Sequence, residues 1–444
     1  MKSVALNYKE ISQTSILKPN FHLNEGKRSL ANLVDKGIEF VPLGKIVQNV
    51  YTGGIFKRLF VSSEKTGIPY ISAQDMMNQN PKKSAKLISK KYTPRQNDMT
   101  LKENTILVSC AGTVGNVRLI DASFKDIIGS QDIIRVIPET SNYGFVYAYL
   151  SSKVCYSYIQ SLIYGSVVPR IEPNAVSNIP VPILPESKQQ EIHNLIVESA
   201  NLRVEANRLL EGAIDVFDKL LENENVVSNG AISIRNIRNR FDSYSVLENN
   251  AINTIINKNS IEWIPIKSIS KRIFIGPRSK RNYVAKGVPF LSGSELQKSN
   301  PTKVEKFLNV KDSAPFIVNM DWVLITRSGT IGNVSYILPI LDGYGATDDA
   351  IRVIVKSNSK LTSKYLYAFL ASKFGKKCIQ KDIFGSVIQH INEEQLGNIL
   401  IPILDVDKIE RQIEKYCLFL NEAIIKENQA ISLVEKEIES WQQS

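Results

Sequence analysis

Two long stretches of the chain place apolar residues at helical spacing. From Ser187 the stripe runs through Ile192, Leu195, Ile196, Leu202, Leu209, Leu210, Ile214, Phe217, Leu220 and Leu221. From Asp405 a second runs through Ile409, Ile413, Tyr416, Leu420, Ile424, Ile431, Val434, Ile438 and Trp441. Each stretch is about 35 residues, roughly 50 Å as a helix. Neither contains proline, and Gly212 is their single glycine. Long stripes with charged flanks predict coiled-coil seams. The alternative is two amphipathic helices packed separately on their own domains. Their length exceeds what a domain of ~180 residues needs, which favours pairing with each other. Antiparallel pairing gives the two halves of the chain a rough two-fold relation.

Elsewhere the pattern is short apolar runs punctuated by Gly and Pro, which predicts strands at Gly67–Ser72, Thr105–Cys110, Ile133–Ile137, Val288–Ser292 and Val323–Thr326. Apolar and aromatic residues spaced three and four apart predict a helix over Tyr143–Leu162 and another over Thr362–Ile383. Prolines mark the exits into the long helices, at Pro180–Pro185 and at Pro402.

These patterns occur twice. Ser109–Val117 (SCAGTVGNV) matches Thr326–Val334 (TRSGTIGNV) at an offset of 217. Gly129–Ile137 matches Ala346–Ile354 at the same offset. At 220, Gly67-Ile-Pro-Tyr-Ile-Ser72 faces Gly287-Val-Pro-Phe-Leu-Ser292, and Tyr147–Lys153 faces Tyr367–Lys373. Tyr164-Gly-Ser-Val and Phe384-Gly-Ser-Val share that offset, as do Asn178–Leu184 and Asn398–Leu404. Val41-Pro42 faces Ile264-Pro265 at 223. The order is constant and the offset drifts by a few residues, so the chain is a tandem duplication. The period is too long for a solenoid and suits a domain plus a connecting element. The expected division is a domain over 1–184, a long helix over 185–226, a second domain over 227–404 and a second long helix over 405–444.

A hydrophobic content of 43% supports ordinary packed cores. No run of about 18 apolar residues occurs, so no membrane span is expected. The first 30 residues lack an apolar signal core. Cys110, Cys155, Cys378 and Cys417 are scattered, and Cys155 is replaced by Gly375 in the second repeat. They read as reduced packing thiols of a cytoplasmic protein rather than metal ligands. The net charge of +11 points to a polyanionic partner, most simply nucleic acid.

Catalytic apparatus is missing. The sequence holds no Gly-x-x-x-x-Gly-Lys-Ser/Thr phosphate loop and no Asn/Asp-Pro-Pro-Tyr tetrapeptide. His22, His193 and His390 do not recur at equivalent positions and read as surface or capping residues. Glu186-x-Lys188 resembles a nuclease pair, but it opens a helix and is absent from the second repeat. No cofactor or metal is expected on this chain.

The Gly-Thr-x-Gly-Asn stretches, Gly112, Thr113, Gly115, Asn116 and Gly329, Thr330, Gly332, Asn333, read as tight turns between strands, with glycines free to take positive φ and Asn116 closing the turn through its side chain. Their matched form favours scaffold over direct DNA contact. The divergent segments carry the chemistry of nucleic-acid recognition. Gly53-Gly-Ile-Phe-Lys57-Arg58 lies opposite Gly276-Pro-Arg278-Ser-Lys280-Arg281-Asn282. Lys82 and Lys83 lie in a segment opposite Pro301–Lys306, Arg170 ends a segment opposite Gln389-His390, and Arg327 replaces Cys110. Arg and Lys neutralise phosphates; Arg, Asn and Gln reach base edges. Unequal loops on a shared scaffold suit two readers of two different sequences.

The ordered set resembles the specificity (S) subunit of Type I restriction-modification enzymes over essentially the whole length. The likeness rests on the Gly67 and Gly287 strand motifs, the paired Gly-Thr-x-Gly-Asn turns, and Gly165-Ser and Gly385-Ser. It also rests on Ile179-Pro-Val-Pro-Ile-Leu-Pro-Glu186 leading into a Gln-Gln-Glu-Ile192 helix. The second hinge, Ile401-Pro402-Ile-Leu-Asp405, departs from that pattern. The resemblance implies an α+β fold of two tandem β-rich target recognition domains separated by two long helices that pair as an antiparallel coiled coil. It implies a non-catalytic, cytoplasmic subunit that reads a split site on double-stranded DNA. The helices would serve as spacer and as dock for two methyltransferase (M) subunits, with motor-nuclease (R) subunits completing the complex. S-adenosylmethionine, ATP and Mg2+ would sit on those partners. A Type IIB-like system, a standalone DNA-binding regulator and a standalone nuclease are the rival readings.

Overall fold

The computed structural model describes residues 18–139, 142–165, 167–222, 252–257, 260–328, 330–381 and 390–443. The chain divides into two compact units, one of Met1–Val204 with Glu422–Ser444, the other of Glu205–Asn421. The first long helix, Glu186–Glu222, and the last, Val406–Gln443, each contribute to both units.

In the first unit a four-stranded antiparallel sheet has the order Val47–Thr52, Ile133–Pro138, Ile106–Ser109, Val117–Leu119. A second sheet centres on Gly67–Ile71, antiparallel to Lys86–Ser89 and parallel to Ile128–Gly129. Gly67 starts that strand because a Cβ there would lie 2.8 Å from Leu87 Cβ and 2.9 Å from the Ser63 carbonyl. The second unit repeats the plan. Its first sheet runs Ser270–Ile275, Ala350–Val355, Val323–Thr326, Val334–Tyr336. Its second pairs Val288–Leu291 with Phe307–Leu308 and with Gly345–Ala346, and adds Tyr283–Val284 at the edge.

The proline-marked exits are strands. Phe40–Pro42 pairs with Pro180–Pro182, and Trp263–Pro265 with Leu400–Pro402, so the repeated Val41-Pro42 and Ile264-Pro265 close each body just before its long helix. A tyrosine hydroxyl braces each closure. Tyr149 donates to the Pro180 carbonyl, and Tyr365 to that of Pro402 at 2.7 Å. The two are not repeat partners: Tyr149 corresponds to Phe369, one helical turn beyond Tyr365.

The predicted helix over Tyr143–Leu162 is two helices, Tyr143–Leu150 and Lys153–Ser161. The Ser152 hydroxyl accepts from the Cys155 amide and starts the second as its N-cap. The same break occurs between Ser363–Ala371 and Lys373–Gln380, where Ser372 caps at the Gly375 amide. Apolar spacing runs unbroken across these serines, so the pattern alone does not reveal the break.

The long helices pack together antiparallel. In the first unit Lys188 lies 3.5 Å from Glu437, and Ser199 Oγ donates to the Ala423 carbonyl at 2.7 Å. In the second, Gly212 lies beside the Gln412 side chain. Ile192, Ile196, Ala430, Ile431, Val434 and Ile438 join one core with the sheet residues Ile106, Val108, Ile134 and Val136. Ser199, Arg203, Asn207 and Glu427 are buried as well, and the apolar stripe gave no sign of them.

Candidate nucleic-acid interface

Each Gly-Thr-x-Gly-Asn turn is built around a hydroxyl. In the first, Ser109 Oγ accepts from the Asn116 amide at 2.9 Å and donates to the Thr113 carbonyl at 2.5 Å. In the second, Thr326 Oγ1 accepts from the Asn333 amide at 3.0 Å and donates to the Thr330 carbonyl at 2.5 Å. Asn116 therefore takes part through its backbone, and the closing side chain is Ser109. Gly112 and Gly115 have φ of +73° and +92°, and Gly332 has +84°, a region that favours glycine. Gly329 lies outside the described residues.

Loops converge on the first turn. The Gly112 amide donates to the Pro169 carbonyl at 3.1 Å, Ala111 bridges Arg170, and the Cys110 amide donates to the Asp132 carbonyl at 3.0 Å. Arg170 is exposed, 3.9 Å from Asp132. In the second unit the Arg327 amide reaches the Asp349 carbonyl at 3.0 Å, and Ser328 donates to the Asp349 carboxylate at 2.9 Å. Arg327 is half-buried, and its Nε has no hydrogen-bond partner. Gln389 lies outside the described residues, as does the Phe384-Gly-Ser-Val motif.

Beneath the Gly-led loops sit two arginines that sequence reading passed over. Arg135 and Arg352, at the repeat offset of 217, are each 1% exposed. Arg135 donates to the carbonyls of Gly129 (2.8 Å) and Ile133 (3.0 Å). Arg352 donates to those of Ala346 (2.9 Å), Pro315 and Phe316 (both 3.2 Å). Each guanidinium thereby ties one sheet to the other through the carbonyl that ends a short strand, Gly129 in one unit and Ala346 in the other. Burial pulls both below the ordinary arginine range, Arg352 to about 10 with Asp348 opposing the shift. A Cβ on Gly53 would lie 3.1 Å from Arg135 Nη1, and one on Gly276 would lie 2.8 Å from Arg352 Nη2. The glycines that lead the loops are there because a guanidinium fills the side-chain space. The recurrence of Arg at one position inside an apolar strand in both repeats was the available signal.

Lys57 and Arg58 are exposed in the loop after strand Val47–Thr52. Arg58 stands 5.7 Å over the Tyr70 ring and donates to its hydroxyl at 2.9 Å. Arg281 stands 5.3 Å over the ring of Phe290, the repeat partner of Tyr70. Phe290 has no hydroxyl, and Arg281 pairs with Asp348 instead. Arg278 lies 3.7 Å from the same carboxylate, and Asn282 donates to Asp312 at 2.7 Å. Lys280 is exposed, as are Lys82 and Lys83 on the short helix Pro81–Ser84. Thus Arg278 and Arg281 are brought together, while Lys82 and Lys83 stand on a separate element from Lys57 and Arg58.

The four cysteines are buried and form no disulfide. Burial pushes the Cys110 thiol up to about 11, with Asp132 adding and Arg170 opposing. Among the described residues no group of three or more His, Cys, Asp or Glu is arranged to hold a metal ion, and no helix is long and apolar enough to cross a membrane.

The family model of the Type I restriction modification DNA specificity domain matches residues 35–199 and again 266–417. No curated protein matches the chain. Among solved structures it is similar to a Type-I restriction-modification system S subunit from M. genitalium, at 15% identity, covering 91% of this chain and 95% of that one, with a TM-score of 0.34. It is also similar to the HsdS subunit from Thermoanaerobacter tengcongensis, at 13% identity, 91% and 96% coverage and a TM-score of 0.28. A chain from a structure concerned with complex assembly and conformational transition of the type I R-M system matches at 14% identity, 91% and 95% coverage and a TM-score of 0.29.

Proposed function

The chain belongs to the Type I restriction modification DNA specificity family, and from that premise we propose that it is the sequence-specificity subunit of a Type I restriction-modification complex, each repeat reading one half of a bipartite site on double-stranded DNA. The observation that carries this reading is the doubled interface: each unit presents a glycine-led basic loop over a buried arginine, with different side chains at its tip. Charge supports it. Between Gly53 and Asp98 nine Lys or Arg face three Asp or Glu, and between Gly276 and Val318 eight face three. Such surplus neutralises phosphates and releases counterions, which holds the domains on any DNA. Sequence is then read at base edges by the loops that differ.

The paired helices serve as spacer between the half-sites and as dock for two methyltransferase subunits. Those subunits carry S-adenosylmethionine and the methylation chemistry. Restriction subunits, with ATP and Mg2+, complete the assembly in the cytoplasm. The chain itself is non-catalytic in this reading.

Co-expression with a methyltransferase subunit, followed by sequencing of methylated adenines, tests it. The expected motif has two defined halves separated by a fixed gap. Replacing residues 41–184 with the equivalent domain of another family member should change one half only. Absence of site-specific methylation, or a change in both halves, overturns the proposal.

A further inference from the structure

The two loops beside the buried arginines correspond residue by residue without a gap. Gly53 and Gly276 both lie against a guanidinium, and Arg58 and Arg281 both lie over the ring at the Tyr70/Phe290 position. The offset of 223 that relates these pairs places Ile55 opposite Arg278. Ile55 is 89% exposed. The Arg278 side chain is 71% exposed. A second pair differs in step: Gln131 stands where the other repeat has Asp348. Asp348, only 8% exposed, faces Arg278 and Arg281 together.

From this juxtaposition we infer that positions 55 and 278 are equivalent base-reading positions, Arg278 taking a guanine edge in one half-site and Ile55 a thymine methyl in the other. The inference rests on the DNA-reading function proposed above. A buried carboxylate beside an exposed arginine is poorly suited to a phosphate contact, because it repels the phosphate as it attracts the guanidinium. It is better suited to a neutral base edge, because at 3.7 Å it draws the guanidinium electrostatically without occupying a donor. Asp348 engages Arg278 from the Nε side. The terminal amino groups remain available for the O6 and N7 acceptors of guanine. Ile55 has no hydrogen-bonding group. The apolar feature of the major groove is the thymine methyl. Lys57 and Lys280, exposed in the same loops, are left to the phosphates.

The test uses the assembled methyltransferase complex. Arg278→Lys keeps the charge and loses the planar fork. Discrimination for guanine at one position of one half-site should fall about five- to a hundredfold, with affinity for scrambled DNA kept. Replacing the corresponding thymine of the other half-site by deoxyuridine removes only the methyl. It should weaken binding by the unsubstituted complex about fourfold and leave Ile55→Ala unaffected. Ile55→Arg with Gln131→Asp should change the preferred base at that position to guanine. A Tm unchanged by the substitutions and co-purification with the methyltransferase verify folding. If the unsubstituted complex methylates a bipartite site and Arg278→Lys and Ile55→Ala keep its motif, the assignment is overturned and the proposed function stands. If the unsubstituted complex recognises no sequence, both fall.

Discussion

Where the body of the first unit meets its long helices it buries charge; at the equivalent place the second unit buries tyrosine. In the first, Glu427 accepts from Arg203 at 2.6 Å and from the Tyr147 hydroxyl at 2.9 Å, and Arg118 lies 3.8 Å from Asp121. All five side chains are at most 5% exposed. Burial pulls the Arg118 guanidinium down, Asp121 opposes the shift and Arg203 adds to it. In the second unit Arg118 is replaced by Ser335 and Asp121 by Leu338. Tyr367, the partner of Tyr147, stacks on Tyr416 at 5.8 Å with the hydroxyls 3.0 Å apart, and Tyr336 packs against it at 5.7 Å. Burial raises both Tyr336 and Tyr367. The same seam is thus closed by two chemistries, and the ionic one leaves Arg118 Nε buried without a hydrogen bond. A duplicated scaffold constrains the volume and the pairing of polar groups at such a seam, not their identity. The cost of error differs. A buried ion left without its partner is penalised more severely than a buried neutral hydroxyl.

The largest expected effect tests that difference directly. Glu427→Ala removes the buried carboxylate that Arg203 and Tyr147 share and should destabilise the first unit by about 3–5 kcal/mol. Tyr416→Phe takes the partner from the buried but uncharged Tyr367 hydroxyl and should cost the second about 1–3 kcal/mol. The three tryptophans allow the two to be followed in urea, with Trp441 in the first unit and Trp263 and Trp322 in the second. Equal losses would erase the contrast.

A second pair compares the arginines under the loops. Gly276→Ala and Gly53→Ala each push a methyl into a guanidinium, and overpacking of this kind costs about 1–3 kcal/mol. The approach is 2.8 Å at Arg352 against 3.1 Å at Arg135, so Gly276→Ala should be the more damaging in thermal melts. The reverse order would mean that the second loop yields more easily than the first.

The smallest effect concerns a similarity rather than a difference. Ser109→Ala and Thr326→Val each remove one hydroxyl that holds the same two backbone groups. Each should cost about 1 kcal/mol, and Thr326→Ser should cost less. Melting curves in which only one of the first two matters would break the equivalence of the turns.

The duplication, the two long helices and the strands led by Gly67 and Gly287 were legible in the chain because periodicity and turn residues are local. They report which face of an element is apolar without knowledge of what covers it. The same reading placed the basic loops in sequence but not in chemistry. Lys57-Arg58 and Lys280-Arg281 look alike as letters, yet Arg281 is tied to a carboxylate 67 residues away and Arg58 to a tyrosine hydroxyl. Ser109 and Thr326 differ as letters and form a shared brace. Nothing local to Gly53 revealed that the Arg135 guanidinium fills its side-chain space. Arg203 and Glu427, 224 residues apart, interrupted apolar stripes as apparent surface residues and are buried together. Whether a polar group can be buried depends on whether a partner reaches it, and partners so distant along the chain are set only when the helices and the domain bodies close on one another.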